Sequence, residues 1–144
     1  LLAQGYRWAS TKYPPHPNTA AGVSPDEAVF DGIVAAAAQA QPFTYPSGLV
    51  EVPMCPISDI GAFRTGRWPL DDFLEAVRRT FAWTVANRAC FDFLAHPSCL
   101  GVVDPEFRTV DLLLELVDEH RDKIELADLS AMAARATPAP ANDS

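Results

Sequence analysis

The apolar positions of this chain fall into short blocks separated by proline-rich and polar stretches, and each block predicts one element. Tyr6 to Ser10 is a short aromatic-rich run after Gly5 and reads as a strand. Tyr13-Pro14-Pro15-His16-Pro17-Asn18 follows, which can continue neither a helix nor a central strand. Ser24-Pro25-Asp26-Glu27 sets a hydroxyl at N-cap, proline at N1 and glutamate at N3. This capping box predicts an alanine-rich helix to about Gln41, with Val29, Ile33 and Ala36 or Ala37 on its apolar stripe. Leu49 to Val52 predicts a second strand, ended by Pro53.

A long aromatic connection containing Met54, Cys55, Asp59, Phe63, Arg64, Gly66, Arg67 and Trp68 comes next, and loops of this kind are more often functional than decorative. Pro69 then opens an amphipathic helix of about five turns, with Asp71 and Asp72 at the positive end of its dipole. Its stripe is Leu70, Phe73, Leu74, Val77 and Phe81. Cys90 to Ala95 reads as a mostly apolar strand that delivers His96 at its C-terminal end. Asp104-Pro105-Glu106 begins a helix with Val110, Leu113, Leu114 and Val117 as its stripe, Ile124 to Leu126 is a weak strand, and Asp128 to Ala136 a closing helix. Strands alternating with helices predict an α/β fold with a parallel sheet and outer helices. Three or four strands cannot close a barrel, so the sheet edges need cover from elsewhere.

Composition narrows the function classes. A hydrophobic content of 49% supports a real core, and the domain is expected to span residues 1–136, with a disordered tail over 137–144. The 11 basic and 19 acidic residues give a formal charge of -8, which argues against nucleic acid as a partner. Cys55, Cys90 and Cys99 form neither a metal knuckle nor a disulfide framework. No apolar run is long enough to span a membrane, and no membrane partner is expected. The chain begins Leu-Leu-Ala-Gln-Gly, without a methionine or a leader pattern, so its natural start is expected upstream. The compartment stays open, with the cytoplasm slightly favoured because no leader is visible.

Taken together, Gly5-Tyr6-Arg7-Trp8-Ala9-Ser10, Gly48 to Pro53 and Phe91 to Pro97 resemble, in order and spacing, the second half of a polysaccharide deacetylase domain, a carbohydrate esterase family. The resemblance covers roughly residues 1–136 and implies the last part of an irregular (β/α)7-like barrel. It implies His96 as the general acid that protonates a departing amine. The family's aspartate base and Asp-His-His metal triad lie on early strands that have no counterpart here, so this chain is expected to hold no metal of its own. A divalent cation such as zinc would come from the missing N-terminal half. The stretch Trp8-Ala9-Ser10-Thr11 lacks the aspartate many members carry, and resembles the serine-bearing, cofactor-free allantoinase-type branch. The implied substrate is an N-acetylated sugar or a smaller amide.

Each candidate has a plainer reading beside it. An imidazole at the end of a parallel strand stands where barrel enzymes keep their chemistry, although it could simply hydrogen-bond a loop. Asp59 and Arg64, on the same rim, could orient His96 or bind substrate oxygens, or form a surface ion pair. Trp68 could stack on a sugar face, with packing at the next helix start the better reading. Ser10 and Thr11 end the first strand on that rim, where a hydroxyl need only close a turn. Glu51, inside a strand, must find a partner or a watery interior. His16 and His120 read as surface residues. The expectation is a C–N amide hydrolase component needing a complementing N-terminal half-barrel chain or a second copy of itself. Its rival is a non-catalytic assembly or carbohydrate-binding subunit that kept the half-barrel.

Overall fold

Phe73, Val77 and Phe81 recur at helical spacing and are buried on one face of the longest helix, around which the rest of the chain is arranged. The computed structural model describes residues 1–136; the tail expected at 137–144 lies outside them. In chain order the elements are β1 (Trp8–Ala9), α1 (Glu27–Ala36), β2 (Phe43–Thr44), β3 (Val50–Glu51), a π-helical turn (Ile60–Gly66), α2 (Leu70–Asn87), α3 (Pro97–Val103), α4 (Arg108–Glu119) and α5 (Leu129–Ala136). Short 3-10 turns occupy Leu2–Gln4 and Ala37–Gln39. Among these residues no helix is long and apolar enough to cross a membrane.

The sheet has three very short strands in the order β1-β3-β2. β1 runs parallel to β3, with Trp8 opposite Val50, and β2 runs antiparallel to it, with Thr44 opposite Val50. The parallel ladder continues past the strands, since Val52 N–H donates to the Ala9 carbonyl at 2.9 Å and Met54 N–H to the Lys12 carbonyl at 3.0 Å. Among the helices, α1 packs on α2, α2 on α4, and α3 on the π-turn, while α5 packs on β3. Phe73 sits at the centre of the main core, with ring centroids 4.8 Å from Phe63 and 6.4 Å from Phe93.

Several elements depart from the sequence reading. The cap of α1 is Asp26, whose carboxylate accepts from Val29 N–H at 3.0 Å, so the cap lies two residues after the Ser24 of the expected box. β2 escaped notice because Pro42 and Pro46 bracket it closely. Residues 90–95 form no strand; Asp92 contributes one backbone bond, its carbonyl accepting from Cys55 N–H at 2.8 Å. The Gln41 side-chain amide takes the place of a neighbouring strand. Its Oε1 accepts from Cys90 N–H at 2.7 Å, and its Nε2 donates to the carbonyls of Cys90 at 3.2 Å and Ala37 at 2.9 Å. No strand forms at Ile124–Leu126 either, where Leu126 lies in solvent.

The chain makes an unexpected helix, α3, with Pro97 in its first turn, before Asp104 stops it. Asp104 then caps α4, accepting from Arg108 N–H at 2.9 Å and from both Thr109 N–H and its hydroxyl at 2.7 Å. The buried face of α4 is accordingly turned from the expected stripe: Thr109, Leu112 and Leu116 are buried, and Val110 and Leu114 are exposed.

Candidate functional site

The turn at Ser58-Asp59-Ile60-Gly61 enters the π-helix, a geometry that is uncommon and often found at functional sites. Asp59 caps it, accepting from Ile60 N–H at 2.9 Å, and has no exposed surface. The same carboxylate holds His96 twice. Its Oδ2 accepts from the His96 backbone N–H at 2.7 Å, and its Oδ1 lies 2.8 Å from the ring Nδ1. An ionised carboxylate only accepts, so Nδ1 carries a proton and the other ring nitrogen, Nε2, is the one available to substrate. The His96 side chain keeps 37% of its surface exposed, so this nitrogen belongs to an accessible ring. His96 is thus the N-cap residue of α3 and the immediate neighbour of a buried carboxylate, rather than the last residue of a strand.

Arg64 leaves the same π-turn and donates from Nη2 to Ser98 Oγ at 3.3 Å, which brings it to the start of α3 beside His96. It is exposed. Of the other residues expected on this rim, Trp68 has only 3% of its surface exposed and donates from its indole to Thr19 Oγ1 at 2.6 Å. It is a packing residue, not a sugar platform, because a buried indole is aligned by its hydrogen bond. Ser10 donates to Asp92 Oδ2 at 3.2 Å. Burial raises the Asp92 carboxyl above its ordinary range, partly offset by that bond. Glu51 is structural: it accepts from Thr11 N–H at 2.6 Å and Lys12 N–H at 2.7 Å, and so fixes the chain leaving β1.

Sequence reasoning missed a second pair on the other side of the π-turn. Tyr13 Oη and His16 Nε2 are 3.0 Å apart, and His16 Nδ1 is 2.8 Å from the Pro17 carbonyl. A carbonyl can only accept, so Nδ1 bears the proton and Nε2 takes the tyrosine hydroxyl hydrogen. Burial lowers the His16 pKa, which keeps the ring neutral, with the Pro17 bond acting the other way. Burial pushes the Tyr13 hydroxyl up to about 12, and a hydrogen bond with Ser58 acts against it. His16 is therefore only partly a surface residue. His120 likewise ends α4 stacked on Phe81, 6.3 Å between ring centroids. No periodicity marks Tyr13 or Ser58; the proline-rich setting of Tyr13 and the adjacency of Ser58 to Asp59 were the only signals.

No family model, curated protein or solved structure matches this chain. Among the described residues no three His, Cys, Asp or Glu side chains converge as a metal-binding group.

Proposed function

We propose that this chain is the proton-transfer part of a hydrolase acting on a C–N amide bond, similar to the second half of a deacetylase barrel. What carries the reading is the double grip of buried Asp59 on His96, through ring and backbone together. Such a grip fixes both the tautomer and the direction of an imidazole, which is what a general acid or base requires. In the proposed step His96 Nε2 takes a proton from water as the water adds to the acyl carbonyl, and returns it to the departing amine as the C–N bond breaks. Asp59 stabilises the ring while it carries the extra charge, and the exposed Arg64 guanidinium binds substrate oxygen at the same rim. A complementing N-terminal half, or a second copy of the chain, would supply the remaining wall and any zinc. The substrate is an N-acetylated sugar or a smaller amide.

The test begins with the intact and native mass of the purified protein. It continues with acetate or ammonia release from acetylated sugars and small amides, with and without added zinc. Release is expected from the chain or from the assembly that co-purifies with it. His96→Ala should reduce it by about 10²–10⁴, the usual worth of a positioned acid or base. Asp59→Asn should lower kcat more than it changes KM, because it removes orientation and not substrate contact. A folded protein that releases nothing in any of these assemblies, or activity that survives His96→Ala, would leave the non-catalytic subunit as the better reading.

A further inference from the structure

The ring of Tyr13 faces chemistry that the Asp59–His96 pair leaves unused. It lines a cavity of about 400 Å³ together with Lys12, Pro14, Pro15, Gln39 and Phe43. This volume suits a small ligand. The prolines and the two aromatic rings supply apolar surface, Gln39 an amide, and Lys12 the one charge among the lining residues. In a chain of formal charge -8, this lining carries an ammonium and no carboxylate.

Lys12 is held in place from both ends. Its backbone N–H donates to the buried Glu51 carboxylate at 2.7 Å. Its ammonium lies 5.4 Å from the centre of the Phe43 ring and 5.8 Å from that of Tyr45, within cation–π reach. Among the described residues it makes no ion pair. An ammonium fixed over aromatic carbon, with no anion of its own, is suited to one that arrives from solution.

We propose that this cavity binds a small carboxylate with a flat apolar body, the carboxylate on Lys12 and the body against Phe43 and the prolines. This binding does not rest on the hydrolase reading.

Calorimetric titration of the whole protein with N-acetylphenylalanine and with its neutral carboxamide tests the idea, because the two share one body and differ in charge. The carboxylate is expected to bind at least about tenfold more tightly, the factor that 1.4 kcal/mol represents. Lys12→Met should remove that preference and leave carboxamide binding unchanged, while Lys12→Arg keeps it. Since Lys12 is exposed, neither variant threatens the fold. Equal affinity for the two compounds, no binding of the carboxylate, or a preference that survives Lys12→Met overturns the proposal. His96→Gln should leave binding intact, so a failure of hydrolysis and a failure of recognition are read separately.

Discussion

Asp59 and Asp104 are both buried carboxylates that direct their oxygens at backbone N–H groups, yet only Asp59 also grips a side chain with chemistry of its own. At Asp104 burial works to raise the pKa, but the hydrogen bonds from Thr109 and Arg108 together outweigh it and hold the carboxyl below its ordinary value. A depressed folded pKa means stability that is present above the unfolded value and lost as pH falls through the folded one. Urea denaturation should therefore show wild type losing stability on the acid side, and Asp104→Ala should make that slope shallower. The variant should cost about 1–3 kcal/mol at neutral pH by orphaning the first N–H groups of α4. Tyr13 gives a spectroscopic prediction. Of the three tyrosines, one should ionise late, near pH 12, in an ultraviolet titration, and Tyr13→Phe should delete that phase.

At the scale of elements, the close approach of the π-turn to its surroundings is the most exacting feature. A Cβ on Gly66 would stand 2.5 Å from the Trp68 indole nitrogen and 2.9 Å from Asn18 Oδ1. Gly66→Ala should cost about 1–3 kcal/mol, seen as a lower urea midpoint, because both neighbours are fixed by hydrogen bonds of their own. The elements that were legible in sequence are those with a long period to read. The stripe Phe73, Val77 and Phe81 gave α2 nearly to the residue, and α5 was placed equally well. The 90–95 segment was not legible, since an apolar run reads as a strand whether or not a neighbouring strand pairs with it, and here Gln41 bonds Cys90 while Cys55 bonds Asp92. The stripe of α4 was misjudged for another reason: polar Thr109, not Val110, is buried, because its hydroxyl completes the Asp104 cap. Asp59 and His96 were foreseen on one rim, but their direct contact depends on a turn that no local pattern encodes.

Over the whole molecule, the excess of acid is unevenly spread. α4 carries Asp111, Glu115, Asp118 and Glu119 around the exposed Leu114, whereas the Lys12 cavity holds no carboxylate. With a formal charge of -8, self-repulsion opposes compaction, and screening relieves it. The melting temperature should therefore rise as sodium chloride increases from about 10 mM to about 150 mM, the range over which the Debye length shrinks from roughly 30 to 8 Å. A fall would mean that the exposed ion pairs, Arg108 with Asp71 and Arg135 with Glu125 among them, outweigh the net charge. The π-helical turn has a further consequence for how the chain tolerates changes of length. A π-turn is an α-helical turn with one residue too many, so a single deletion between Ile60 and Arg64 would let it relax to α-helix. The rest of the turn would be rotated by about 100°, one α-helical step, relative to Asp59, carrying Arg64 away from Ser98. The length of this turn thus sets whether Arg64 reaches the start of α3.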